Sequence, residues 1–417
     1  MNTVDVNKVP LDKIDVSRPE LFHKDSWHPW FERLRKEAPI HYLADSVHGP
    51  FWSVSSHKLI KEVDTNNAVF SSASEMGGIA IADPVAIEGQ DNQGDSFITM
   101  DEPKHMPQRM AVSPSVAPRN LAELEPLIRE RAEDILDKLP IGETFNWVKE
   151  VSVEMTARML ATLFDFPYED RHKLVYWSDI TTAVPEITGD DSIDLDKRYA
   201  DLMEAAGAFY QLWMSKVGQP PTFDLISMLQ HNDNTAKMNE DPEVFLGTIL
   251  LLIVGGNDTT RNSISGGVIG LNKYPDEYQK LRDNLSLIPN MVSETIRWQT
   301  PVIHMRRTAL SDYTLGGQDI KKGDKVVMWY LSGNRDEYVF KDAEKLIVDR
   351  PNARAHVAFG FGVHRCMGNR LAEMQLRVLW EEIMKRFHKV EVVGDVERLP
   401  NNFIRGIKYV PVRLHPV

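Results

Sequence analysis

Residues 359–368 read FGFGVHRCMG and contain Cys366, the only cysteine among 417 residues. The run that follows, 367–387, carries Ala372, Leu376, Leu379, Ile383 and Phe387 three or four residues apart, which predicts an amphipathic helix. Cys366 would then face the unpaired N–H groups and the positive end of a helix dipole. Arg365 and His364 add positive charge, so the setting predicts a thiolate. Gly360, Gly362 and Gly368 would let the backbone turn sharply and approach something flat and bulky. A single thiolate makes neither an internal disulfide nor a four-ligand zinc site. It does suffice as the one protein ligand of a haem iron. The bland alternative is a buried, inert thiol acting as a small hydrophobe.

The rest of the composition narrows the class. Apolar residues make up 42% and charged residues 26%, as in soluble globular chains. The net charge of −13 argues against non-specific nucleic-acid binding. One cysteine fits a reducing compartment, and the N-terminus has no apolar core of signal-peptide type, so a cytoplasmic protein is expected. The most apolar stretch, 244–254 (VFLGTILLLIV), is too short to span a bilayer and predicts a buried helix. No linker, repeat or low-complexity tract divides the chain, so residues 1–417 are expected to form one domain without membrane anchor or fused reductase.

Short strands are expected at APIHYL and PFWSVS, joined by a turn. A Gly-, Asp- and Ser-rich loop follows over 74–99. From Pro118 the apolar spacing becomes helical. Helices are predicted near 149–164, 168–182, 195–217, 242–272, 276–284, 288–298 and 368–388, with strands returning over 303–331. In the 242–272 segment Asp241 is placed to cap and Pro242 to open the first turn. Within it, Gly255 and Gly256 each weaken the helix by about 1 kcal/mol relative to alanine. A kinked or opened turn is expected there, beside Asp258 and Thr259. There is no P-loop, H-E-x-x-H, G-x-S-x-G or paired C-x-x-C motif, and Gly360-x-Gly362 lacks a dinucleotide-binding context.

Phe359, Gly362, Cys366 and Gly368 match F-x-x-G-x-x-x-C-x-G. In the same order as in the family, MDEPKHMPQRM (100–110), GGNDTT (255–260) and ETIR (294–297) precede it. On these motifs the chain resembles the cytochromes P450. The resemblance implies a mainly α fold with a minor β region in a single large triangular domain. It implies haem b with Cys366 as axial ligand and with Phe359, Gly362, Gly368 and Gly255 around it. It assigns the propionates to His105, Arg109, Arg307 and His364, and Arg suits that role through its fork of donors. Thr259 would hold the reacting oxygen or its water, and Asp258 would relay protons. Glu294 and Arg297 by spacing alone read as a solvated pair. The resemblance buries them with Arg350 as a structural triad.

The implied reaction is insertion of one oxygen atom from O2 into a C–H bond. RMLATLFDFPYEDRHKLVYWSD, PNMVSETIRWQTP and the cysteine segment resemble the bacterial subfamily that hydroxylates alkanes and fatty acids at the terminal carbon. A narrow pocket is then expected from residues 76–98, Val184–Ile187, Leu251, Val254, Gly255, Val302–Met305 and Phe403. Electrons are expected from a ferredoxin and its NAD(P)H-dependent reductase, docking on a patch of Lys104, Arg109, Arg365, Arg370 and Arg377. Three alternatives stay open: a P450 for terpenes or other compact apolar substrates, a peroxide-driven P450, and a haem-thiolate sensor or binding protein.

Overall fold

The Asp241 carboxylate accepts hydrogen bonds from the N–H groups of Glu243 and Val244, and Pro242 occupies the first turn. This satisfies donors that a helix start leaves unpaired, and it launches a 32-residue helix, Pro242–Lys273. The computed structural model describes residues 5–83 and 95–417. Among these, Pro242–Lys273 is the one helix long and apolar enough to meet the criterion for a membrane span. Here its second half is buried inside the protein almost without interruption from Asn257 to Leu271.

In chain order the helices used below are α1 His28–Glu37, α2 His57–Thr65, α3 His105–Val112, α4 Pro118–Asp137, α5 Glu154–Phe164, α6 Arg171–Thr181 and α7 Leu195–Ser215. They continue with α8 Pro242–Lys273, α9 Pro275–Asp283, α10 Ile288–Gln299 and α11 Asn369–Arg386. Helix α8 packs against α5, α6, α7, α10 and α11, and α11 also lies along α4. One large apolar core joins Leu121, Ile128 and Ile135 of α4 to Ile264 and Val268 of α8 and to Leu376, Leu379 and Ile383 of α11. The spacing that predicted these helices is therefore the spacing that buries them.

The strands are β1 Ile40–Leu43, β2 Phe51–Val54, β3 Phe70–Ser71, β4 Phe145–Asn146, β5 Met305–Ala309, β6 Lys325–Met328, β7 Phe387–Val392 and β8 Pro411–Pro416. A five-stranded sheet has the order β1-β2-β6-β5-β3, with only β2 and β6 parallel. Met305 pairs with Met328 and Arg307 with Val326. Along β5 successive side chains take opposite faces. Met305 and Arg307 face the large cavity described below, while Arg306 turns away to Asp83 (2.5 Å) and the carbonyl of Met76 (3.2 Å).

The predicted helix over 368–388 is shorter than expected. It ends at Arg386, and Phe387 opens β7, which pairs with β8. The apolar period changes from 3.6 to 2 within one uninterrupted run, with no glycine or proline at the junction. Of the 74–99 loop, Ser74–Met76 and Phe97–Thr99 form short 3-10 turns, and residues 84–94 lie outside the described residues.

Candidate active site

The Cys366 N–H donates to the Phe359 carbonyl at 2.8 Å and closes the segment into a loop. Its glycines serve a different purpose from the one expected. Gly360 and Gly362 have φ of +65° and +66°, a region that side chains disfavour. A Cβ on Gly362 would lie 2.3 Å from the Asp64 carbonyl oxygen of α2, and one on Gly360 would lie 3.1 Å from the Asp64 carboxylate. These two glycines let the loop abut α2. Only Gly368 has open space where a Cβ would stand. Asp64 anchors the loop from beneath, accepting from Phe361 N–H (2.6 Å), Tyr330 Oη (3.0 Å) and Arg307 Nη2 (2.8 Å). We expect Gly362→Ala to destabilise the fold by about 3 kcal/mol, from φ strain plus the backbone clash. Urea denaturation checks this, and a loss under about 1 kcal/mol would contradict it.

Cys366 is exposed, and its thiol opens onto the cavity. Desolvation by the surrounding protein pushes the thiol up from its ordinary value. The N–H groups of Gly368 and Asn369, together with Arg109 and Arg365, pull the other way and do not prevail. The donors and cations expected around the sulfur are in place, and desolvation opposes them. A bound metal cation reverses that balance, since a coordinating thiol is deprotonated outright.

Between this loop and α8 lies a cavity of about 1560 Å³, part of it continuous with solvent. Gly255, Gly256, Thr259, Thr260 and Ser263 line it from α8, and Phe359, Gly360, His364, Cys366 and Gly368 line it from the loop. At its polar edge the His105 and His364 rings are 4.3 Å apart. His105 Nδ1 bonds Glu102 (3.1 Å) and His364 Nε2 bonds Ser72 (2.9 Å). His105 Nε2 and His364 Nδ1 are buried without partners. Arg109 holds the Arg365 carbonyl (2.6 Å) and lines the cavity, as does Arg307, which is already paired with Asp64. A sole thiol, two orphaned imidazole nitrogens and two guanidinium groups around a mostly apolar slot are a donor set that fits haem and its propionates.

The turn at Gly255 is not opened. Helix α8 is continuous through it, and the Thr259 hydroxyl donates back to the Gly255 carbonyl at 2.8 Å. Thr259 faces the cavity, whereas Asp258 is buried on another side of α8. Its carboxylate accepts from Asn257 Nδ2 (3.0 Å) and pairs with Arg261 (2.8 Å). Arg261 in turn pairs with Asp179 of α6, whose side chain is 47% exposed. Burial pushes Asp258 up to about 6, against the pull of Arg261. An acid, a guanidinium and a second acid therefore run from surface to core.

Glu294, Arg297 and Arg350 are fully enclosed. Arg297 reaches both Glu294 oxygens (2.7 and 2.8 Å), and Arg350 Nε lies 2.9 and 3.0 Å from the same two. The remaining guanidinium hydrogens go to the carbonyls of Asn334, Ala343 and Lys345 from Arg297, and of Lys341, Asp342 and Lys345 from Arg350. The cluster ties α10 to the stretch 334–350 that leads toward the cysteine loop.

Residues 141–407 match the family model for cytochrome P450. The chain is 36% identical to linalool 8-monooxygenase of Pseudomonas putida, over 97% of this chain and all of that protein. The chain is a cytochrome P450. Among solved structures, CYP153D17 from a Sphingomonas species superposes with a TM-score of 0.91 at 48% identity, covering 97% of this chain and 100% of that one. Cytochrome P450-153 from Novosphingobium aromaticivorans gives 0.89 at 45%, covering 96% and 99%. The P450 is a monooxygenase of the family that binds haem b through cysteine, and Cys366 is the one cysteine it has. The sensor reading is therefore not kept.

Of the expected substrate-pocket residues, Leu251, Val302 and Met305 line the cavity of this P450 together with Gly255. Val184, Ile187 and Phe403 do not. They belong to an adjoining apolar cluster against which Val302 and Met305 also pack. Val254 is not among the lining residues. Phe97 and Ile98, from the expected 76–98 stretch, also line it, whereas the sequence reading missed Leu163, Leu225 and Leu252, which line the cavity from separate elements. The expected basic patch is smaller than thought. Arg377 is spent on Glu125 (2.7 Å) and Glu381 (2.9 Å), leaving Lys104, Arg365 and Arg370 exposed.

Proposed function

We propose that this P450 hydroxylates the terminal carbon of medium-chain linear apolar molecules, n-alkanes or fatty acids. The likeness to the two CYP153 structures across nearly the whole chain carries this reading. Among the described lining residues the only charged ones, Arg109 and Arg307, belong to the group around His364 and Cys366. The remaining described wall is mostly apolar and carries no charged group, which favours the neutral alkane. Bound haem supplies the oxidant that converts C–H to C–OH. In this proposal Cys366 holds it, and His105, His364, Arg109 and Arg307 take its carboxylates. Thr259 presents a hydroxyl to the reacting oxygen, and Asp258, held by Arg261 and linked through it to the surface Asp179, relays protons inward. A carboxyl near 6 both holds and releases a proton close to neutral pH, as a relay requires. Thr259→Ala should lower product formed per NADH about tenfold and release peroxide instead. Tight coupling in that variant would remove Thr259 from the mechanism.

Electrons are proposed to arrive from a separate ferredoxin and its reductase, at the exposed Lys104, Arg365 and Arg370 beside the cysteine loop. The deciding experiment is turnover of linear alkanes with competent redox proteins, followed by product regiochemistry. Predominant 1-alkanols support the reading, and mainly internal alcohols overturn it. The relationship to linalool 8-monooxygenase favours a second reading, attack on the chain end of a branched terpene. Substrate-induced spectral titration separates the two: tighter binding of linalool than of any linear alkane selects the terpene.

A further inference from the structure

The two arginines that line the cavity are held by different kinds of group. Arg109 donates to the Arg365 carbonyl (2.6 Å), a contact that leaves its positive charge uncancelled. Arg307 donates through Nη1 to the Arg306 carbonyl (2.8 Å) and through Nη2 to the Asp64 carboxylate (2.8 Å). The Arg307 side chain is 4% exposed and that of Asp64 1%. Water therefore screens neither, and their charges act on each other and on the cavity at a low effective dielectric.

The same carboxylate reaches the cysteine loop. Its other oxygen accepts from the Phe361 N–H (2.6 Å) and the Tyr330 hydroxyl (3.0 Å). The guanidinium and the Phe361 N–H can only donate, and each faces one oxygen, an arrangement that suits an ionised carboxylate. Burial pushes Asp64 up from its ordinary value, while Arg307, Phe361 and Tyr330 pull it back. One charge thus joins the end of α2, strand β5 and the loop that carries Cys366. The other acids at this edge have different partners. Glu102 bonds His105, and Asp101 bonds the Ser71 hydroxyl and the Ser72 N–H.

We propose that Asp64 is a positioning residue that holds down the reduction potential of the bound haem, by cancelling the charge of Arg307 while fastening the cysteine loop with the same carboxylate. This rests on Cys366 holding the haem and Arg307 taking one of its carboxylates, and it is independent of the substrate. One-electron reduction lowers the charge at iron by one. A negative charge buried beside the site opposes that step, and an uncancelled guanidinium favours it. The lever is a buried charge outside the axial ligand, of the kind that tunes metal centres through the groups around their ligands.

Spectroelectrochemical titration of the haem-loaded protein measures the ferric–ferrous potential. Asp64→Asn keeps the shape of the side chain and an oxygen for Phe361, and removes the charge. It should raise the potential by about 59 mV, a tenfold shift in the one-electron equilibrium. Asp64→Glu restores the charge and should reverse most of that rise. Tyr330→Phe removes a hydrogen bond from the same carboxylate but keeps its charge. It should lower stability to urea and leave the potential where it was. A second pair of variants does not depend on Asp64→Asn holding haem by itself. Arg307→Gln should lower the potential, and adding Asp64→Asn to it should bring the potential back toward wild type. An unmoved potential in Asp64→Asn, an equal shift in Tyr330→Phe, or a double variant no different from Arg307→Gln would overturn the proposal. A native protein without the red-shifted band of its reduced CO complex would overturn the assignment of Cys366 and this proposal with it. A native band with unmoved potentials overturns this proposal alone.

Discussion

Cys366→Ala should eliminate the strongly red-shifted Soret band of the reduced, CO-bound protein and, with it, all O2-dependent hydroxylation. The effect is large because no other cysteine can substitute. The thiol is placed by the loop itself, through the Cys366 N–H to Phe359 and through the start of α11, and no flexible side chain competes for the position. Thiolate donation is what favours O–O cleavage in this class. Folding should be little disturbed, since alanine removes one atom facing an open space. The variant should therefore express, and it should bind haem weakly with a spectrum typical of nitrogen or water ligation. A native protein lacking the red-shifted band, or an alanine variant retaining it, would refute the assignment of Cys366 as the ligand.

Glu294→Ala should cost about 3–5 kcal/mol of stability and leave little protein able to retain haem. The carboxylate is shared by Arg297 and Arg350, both within 3.0 Å and all three buried. Removing it leaves two guanidinium groups facing each other in a buried site. Glu294 also accepts from the Ile347 N–H at 2.9 Å, so a backbone donor is orphaned as well. Glu294→Gln keeps the shape and removes the charge, and it should fall between wild type and alanine. Urea denaturation followed by tryptophan fluorescence measures all three. A loss below about 1 kcal/mol for Glu294→Ala would show that the cluster contributes only geometry.

Much of this was legible in the sequence, and what was not has physical causes. The cap at Asp241, the helix after Gly368 and the positions of Cys366, Asp258 and Thr259 depend on neighbours a few residues away. Spacing and composition therefore expose them. Asp64 was not singled out, although it fastens the cysteine loop, because its partners lie more than 240 residues along the chain. The same distance hid the purpose of Gly360 and Gly362, which looked like clearance for a cofactor and are clearance for α2. Arg377 looked free until Glu125 of α4 was seen beside it. Helix α3 gave no periodic signal, since Pro107 interrupts its short apolar pattern. The donors around the thiol are visible in sequence, whereas the desolvation that opposes them is not.

Strand β5 has a consequence for how this protein can diversify. Its odd positions, Met305 and Arg307, look into the cavity, and the even position between them, Arg306, is committed to Asp83 on the far side. Replacing Met305 can reshape the space offered to a substrate without disturbing that ion pair. Replacing Arg306 perturbs stability and leaves the cavity wall unchanged. Specificity and robustness are thus encoded on alternate residues of one strand. Directed evolution can vary the first while holding the second fixed, whereas a single-residue insertion in β5 exchanges the two roles and should be lost from any selected library.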